Sequence, residues 1–160
     1  MAWALEAVDP SGADALKLLE QAALEARALY PELFAADTPM AGNPPAAPRT
    51  IYLVAYDGAA GPAGCAALRP IDDDTAEVRR VYVLPTLRGS GVARALMARL
   101  ESEAVAFGYH AMKLETGNRQ QPAMRLYEAI GYTRIPAFGA YVGDPTSVCF
   151  GKQLNRTGPA

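Results

Sequence analysis

The sequence predicts an α/β fold of the α+β kind, one mixed sheet covered by helices, in the order β-α-β-β-β-α-β-α-β-β. Three observations carry this. Strand-like runs over 50–58, 61–71 and 76–85 are joined by short turns, which implies an antiparallel meander. Residues 76–116 read strand–helix–strand, and the right-handed crossover rule places those two strands parallel. Two later helical stretches each stop at a glycine, Gly108 and Gly131, the residue that most easily leaves a helix in the left-handed conformation.

The elements follow in order. "WALEAV" alternates weakly and reads as a first strand, ended by Pro10 and Ser11, with Ser11 able to cap the next helix. That helical region, one helix or two, covers 13–30, with Leu16, Leu19, Ala23 and Ala26 near a helical period. Residues 31–49 hold five prolines and no period, so they form a long loop of the kind that is usually functional or mobile. "TIYLVAYDG" is a strand ending at an Asp-Gly turn. "GPAGCAALRPI" and "AEVRRVYVLP" are the next two strands, with Asp72-Asp73-Asp74 as the hairpin turn between them. From Gly89 to Phe107, Val92, Leu96, Leu100 and Ala104 recur at helical spacing. "HAMKLET" is a strand, 121–130 a short helix, and "YTRIPAF" and "TSVCFGKQL" are two closing strands.

The chain has 160 residues, 51% of them hydrophobic, which fits one domain over 1–160 with a single core. A net charge of -2 argues against a general nucleic-acid binder, which needs a basic surface. No apolar run approaches the roughly 20 residues of a membrane span. "MAWALEAVDP" lacks the basic start and apolar stretch of a signal peptide, so the expected location is cytoplasmic. Cys65 and Cys149, the only cysteines, are then expected as two buried thiols rather than a disulfide. One histidine, His110, and no cysteine pair at ligand spacing speak against zinc, so no metal is expected.

The segment Arg88-Gly89-Ser90-Gly91-Val92-Ala93 joins a strand to a helix. A helix N-terminus offers unsatisfied N–H groups and a partial positive charge, so a phosphate can rest there without a special side chain. Glycines let the backbone approach such an anion, although a plain turn would also use them. No Gly-Lys-Ser/Thr follows, so this is not a Walker loop. Arg94 stands where a dinucleotide fingerprint counted from Gly89 needs glycine or alanine.

The segment does match Arg/Gln-x-x-Gly-x-Gly/Ala, and so resembles the acyl-CoA loop of the GNAT N-acetyltransferase superfamily. "AEVRRVYVLPTLRGSGVARALM" resembles the strand–loop–helix core of that superfamily. "MRLYEAIGYTRI" resembles its later box, with Leu126, Tyr127, Glu128 and Gly131 in place and Tyr132 for the usual phenylalanine. "IPAFGAYVGDPTSVCFGKQL" is further similar to a branch of small bacterial members, many without an assigned substrate. The resemblance covers nearly the whole chain and implies the GNAT acyl-CoA N-acyltransferase fold, a mostly antiparallel sheet of about seven strands flanked by helices.

The resemblance implies an acetyl-CoA-dependent N-acetyltransferase that moves acetyl directly to a primary amine of a small molecule or peptide in a ternary complex. The backbone of 89–93 (Gly89, Ser90, Gly91, Val92, Ala93) would cradle the pyrophosphate, with charge from Arg88 and Arg94. The strand over 77–84 would splay at a bulge, so that the backbone of Val81, Tyr82 and Val83 pairs with the pantetheine arm. Pro85 fits that, since it ends ladder pairing, and an N–H near Val83 would donate to the acetyl oxygen. Gln120 stands where the family often has asparagine, and Asn118 competes for the same contact.

Tyr127 is the expected general acid, because a phenol can donate to a departing thiolate, although Ala123, Tyr127 and Ile130 also share one helical face that could be core. Glu77 is the expected general base, directly or through water; its other reading is an exposed carboxylate paired with Arg79, two residues on along the same strand face. Tyr30, Phe138, Tyr141 and the 31–49 loop are candidates to wall the acceptor pocket. Cys149 as an acyl-carrying nucleophile has no nearby histidine in sequence to activate it. Two other readings remain: a non-catalytic acyl-CoA-binding sensor, which would keep the 88–93 loop without needing Glu77 or Tyr127, and a protein whose strands or helices serve mainly as a homodimer surface.

Overall fold

The structure, a computed structural model, describes residues 3–35 and 37–154. Ala36 in the proline-rich stretch, and 1–2 and 155–160 of the expected 1–160 domain, lie outside the described residues. The elements are β1 (Ala4–Ala7), α1 (Ala13–Leu29), β2 (Ile51–Tyr56), β3 (Pro62–Pro70), β4 (Thr75–Val83), α2 (Val92–Ala106), β5 (Ala111–Gly117), α3 (Gln121–Ala129), β6 (Thr133–Ile135) and β7 (Ser147–Gln153). All seven strands form one sheet in the order β1-β2-β3-β4-β5-β7-β6. Every pairing is antiparallel except β4 with β5, so the expected meander and the expected parallel pair are both present.

Local chemistry sets the boundaries. Gly12, not Ser11, is the N-cap of α1; the Ser11 N–H and hydroxyl both donate to the Asp9 carboxylate instead, at 2.8 and 2.7 Å. Pro31 cannot continue α1, and a single 3₁₀ turn, Pro31–Leu33, follows it in place of a second helix. α2 starts at Val92 rather than Gly89, because Gly89 and Gly91 have φ of +80° and +94° and cannot enter a right-handed helix. β6 ends at Ile135 because Pro136 has no N–H for the ladder. The Asp72 carboxylate accepts the N–H groups of Asp74 and Thr75, closing the β3–β4 turn and setting the register that pairs Arg69 with Glu77.

The two sheet faces differ. On one, Leu53, Leu68, Val78, Leu114 and Phe150 pack with Val92, Leu96, Leu100 and Ala104 of α2, all buried, and with Met124 and Tyr127 of α3. On the other, α1 covers β2, β3 and the end of β4, with Ala15 and Leu18 in one cluster with Tyr52, Val54 and Cys65 and with Tyr82 against it. Cross-strand partners share a face, so Glu77, Lys113 and, by alternation, Arg79 and Glu115 lie on this same side, past the reach of α1. There the 136–146 loop lies over the sheet: Phe138 takes the Lys113 ammonium on its ring, and Tyr141 bonds Glu77. Cys65 and Cys149 are free and buried.

Candidate active site

The central strand is opened by a bulge. Cys65 pairs with Tyr82 and Ala67 with Arg79, so Ala66 alone opposes both Arg80 and Val81. Arg80 takes a left-handed conformation, φ +61°, which costs a non-glycine residue of order 1 kcal/mol or more. Side-chain bonds hold it: Nε donates to Asn43 Oδ1 and Nη2 to the Gly42 carbonyl, each at 3.0 Å, and the Cys65 thiol donates to the Arg80 carbonyl at 3.1 Å. β4 pairs with β5 only from Thr75 to Glu77, while β5 continues against β7 to Gly117. The two parallel strands therefore part beyond Glu77. Among the described residues, no strand pairs with the β4 edge that runs through Val81, Tyr82 and Val83 towards β5.

That edge leads to the start of α2. Gly89, Ser90 and Gly91 are exposed, and a Cβ built on either glycine would meet nothing within 4 Å. No side chain caps α2 and its first turn carries no acid. Among the described residues, nothing accepts the N–H groups of Val92, Ala93 and Arg94. A helix end left this way is positive and unsatisfied. The Arg94 side chain is exposed beside it. Ser90 turns back to donate to the Leu87 carbonyl. Arg88 also turns inward: Nε donates to the Val83 carbonyl at 3.0 Å, Nη2 pairs with Glu25 at 2.6 Å, and the guanidinium lies over the Tyr82 ring. Arg88 thus ties α1 and the loop to the end of β4.

Tyr127 on α3 is 5% exposed, against Tyr132 and Phe150. Its hydroxyl has no hydrogen bond among the described residues. Burial, then the negative charge of Glu115, pushes its pKa up, so it stays a neutral donor. Gln120 is the N-cap of α3 and Asn118 sits just before it, exposed, its N–H bonded to the Thr146 carbonyl. Tyr30 is buried; its hydroxyl accepts the Arg119 N–H at 2.7 Å and closes against Gly117, so it fixes the end of β5.

Glu77 is not an exposed carboxylate. At 3% exposure it accepts Arg69 Nε and Nη2 on Oε1, at 3.0 and 2.9 Å, and the Tyr141 hydroxyl on Oε2 at 2.6 Å. Arg79 stands 3.7 Å from Oε2 and donates to Tyr141 at 3.2 Å. Tyr141 is half-buried, with Phe138 edge-on to it, so both aromatics sit at this carboxylate. Burial and the bond to Glu77 push the Tyr141 phenol pKa up. Sequence reasoning missed Arg69, although Arg69 and Glu77 are symmetric about the Asp72–Asp74 turn and a tight hairpin would pair them. It also missed the Tyr52–Asn43–Arg80 group, which no local pattern marks.

An open strand edge leading into an uncapped helix N-terminus is the form taken by a site for an extended ligand ending in an anion. Residues 14–132 match the acetyltransferase (GNAT) family, and the chain belongs to that family. An IAA acetyltransferase of Azospirillum brasilense is 41% identical over 93 residues, 57% of this chain and 60% of that protein. The match thus spans about three fifths of that relative's length. A crystal structure assigned to the acyl-CoA N-acyltransferases, from Klebsiella pneumoniae subsp. pneumoniae MGH 78578, is 30% identical with a TM-score of 0.78, covering 96% of this chain and 98% of that one. A GNAT family acetyltransferase from Elizabethkingia anophelis with acetyl-CoA bound shares the fold, with a TM-score of 0.67 at 16% identity over 95% of this chain and 98% of that one. No helix among the described residues is long and apolar enough to cross a membrane.

Proposed function

We propose that this protein is an N-acetyltransferase that moves acetyl from acetyl-CoA to a primary amine of a small molecule or peptide, directly and within one ternary complex. The observation that carries the reading is the β4 edge at 81–83, unpaired towards β5 and continuous with the uncapped N-terminus of α2. The residues fit the donor. The N–H groups of 89–94 supply bonds and partial charge for a pyrophosphate, with Arg94 beside them, and the open edge supplies a ladder for the amide-bearing arm of CoA. Bound there, CoA supplies the activated thioester carbonyl. An N–H near Val83 is the donor for its oxygen, and Asn118 and Gln120, at the entrance to α3, are the side chains proposed for a further contact with the arm.

Two protons must move. The acceptor ammonium must lose one before it can attack. Glu77 is the base, reached through the Tyr141 hydroxyl: the amine proton passes to Tyr141 Oη as the phenolic proton passes to Glu77 Oε2. The raised phenol pKa suits a neutral relay and not a phenolate. As the tetrahedral intermediate collapses, the departing thiolate takes the Tyr127 phenolic proton, and the second proton of the nitrogen, released as the amide forms, restores the phenol; the Tyr127 hydroxyl has no competing partner among the described residues. Two free buried thiols fit a reducing, cytoplasmic setting.

The test is a screen of acetyl-CoA consumption, with mass detection of the acetylated product, over amino acids, polyamines, aminoglycosides and peptides. An N-acetyl product is expected from at least one amine class. Calorimetric binding of acetyl-CoA with no acceptor acetylated would leave a sensor in place of an enzyme.

A further inference from the structure

Arg79 and Arg80 are consecutive on β4, and consecutive strand residues normally point to opposite faces. Here both line one cleft, under the segment around Asn43 and over β2, β3 and β4. The left-handed turn at Arg80 is what brings them together. Arg69 and Tyr52 line the same cleft.

Its electrostatics are unbalanced. Of the three guanidiniums, only Arg69 hydrogen-bonds a carboxylate among the described residues; that carboxylate is Glu77, with Arg79 at 3.7 Å, and its two oxygens already accept from Arg69 and Tyr141. Glu115, the next acid on this face, is bonded by Ser147. Among the described residues, Arg79 donates from Nη1 alone, to Tyr141. The three cations also work against one another: after burial, the charge of Arg79 is the next influence that lowers the Arg80 pKa.

The second observation is a buried hydroxyl not closed by a hydrogen bond. Tyr52 is 4% exposed, with the Cys65 and Asn43 side chains near its hydroxyl, yet among the described residues that hydroxyl makes no hydrogen bond of good geometry. The polar groups beside it are engaged elsewhere. The Cys65 thiol donates to the Arg80 carbonyl, and the Asn43 amide gives its N–H to Pro10 and takes one from Arg80. A cleft offering the largely open guanidinium of Arg79, the remaining Nη1 donor of Arg80 and the Tyr52 O–H suits a carboxylate.

We propose that the acceptor amine carries a carboxylate, as an amino acid does, held in this cleft by Arg79, Arg80 and the Tyr52 hydroxyl; this rests on the acetyl-transfer reading above. Arg79 links the cleft to the Glu77–Tyr141 pair, donating to Tyr141 and standing 3.7 Å from Glu77, so an acceptor anchored at Arg79 can present its amine to that pair. The same cations disfavour an ammonium nearby and so favour the neutral amine that attacks.

The experiment compares initial rates with acetyl-CoA for the free amino acids, their α-amides and their decarboxylated amines, and reads melting temperature with the same compounds. At least a tenfold higher kcat/KM for an acid than for its amide is expected, falling towards parity in Arg79→Gln. Tyr52→Phe guards against a folding defect: it should melt no lower than the parent, while KM for the acid rises severalfold and KM for the amide stays put. Amides or amines acetylated as well as the acids would overturn the inference and leave acetyl transfer standing. No product from any acceptor, with acids still raising the melting temperature of the parent but not of Arg79→Gln, would keep the carboxylate site and remove acetyl transfer. No product and no such stabilisation would remove both.

Discussion

Tyr127 is held by the aromatic core, yet its hydroxyl has no hydrogen-bond partner among the described residues, and that combination separates its packing from its proposed chemistry. Removing the hydroxyl should leave the fold alone, because no bond is lost. Tyr127→Phe should therefore melt like the parent and bind acetyl-CoA with nearly the same affinity in calorimetry, while kcat falls by ~10²–10⁴-fold, the usual scale for a general acid. An unchanged kcat with a true acceptor removes the role. Its pKa is pushed above the ordinary phenol value of about 10, so loss of the Tyr127 proton cannot produce a falling limb in the rate below roughly pH 10. Glu77 and Tyr141 make a coupled pair. Groups that act as a unit are not additive, so Glu77→Gln and Tyr141→Phe should each lower kcat/KM, and the double variant should be no worse than the worse single. Independent, multiplying losses would show that the proton does not pass through Tyr141.

At the scale of elements, the proposed donor site is two devices in series: a bulge that frees the end of β4 and a pair of left-handed glycines that exposes the start of α2. The second was legible in the sequence, because Gly89 and Gly91 stand between a strand-like and a helix-like period and only glycine takes those φ values cheaply. The bulge was legible only through the family resemblance. Its residue is an arginine, and an arginine in a strand carries no local sign of a left-handed conformation; long-range bonds to Gly42 and Asn43 hold it there. Arg88 shows the same limit, since its position beside the loop did not reveal its bonds to Val83 and Glu25. The α2 end can be tested with charge as the variable. Gly91→Asn keeps a residue that tolerates φ > 0, and should weaken acetyl-CoA binding modestly. Gly91→Glu adds a carboxylate facing open space where an anion is proposed, and should abolish binding in calorimetry. Tight binding by Gly91→Glu would move the pyrophosphate elsewhere.

Across the whole molecule, the element order and the β2–β3–β4–β5 topology followed from turns and periods. The unequal cover of the two faces did not, because it depends on where α1 ends relative to the sheet. That unequal cover leaves a partly buried ionic layer over β4 and β5; Glu115 in that layer and several carboxylates outside it give stability a pH signature. Glu25 has its pKa lowered by its bond to Arg88, and Asp9, Asp72 and Asp144 have theirs lowered by local N–H and hydroxyl donors. Each contributes stability that is present above its ordinary carboxylate range and lost as pH falls through the lowered value, so the melting temperature should drop below about pH 4. Glu115 has the opposite sign. Burial outweighs its bond from Ser147 and raises its pKa. The folded state then holds that proton more tightly than the unfolded chain, and stability is lost as pH rises from the ordinary carboxyl value to the raised one. Glu115→Gln keeps an acceptor for Ser147 and removes the buried charge. It should melt higher than the parent at pH 7, with the advantage shrinking towards pH 4, where the parent carboxyl is itself neutral. A constant difference in melting temperature between pH 7 and 4 would show that Glu115 acts through packing and not through its charge.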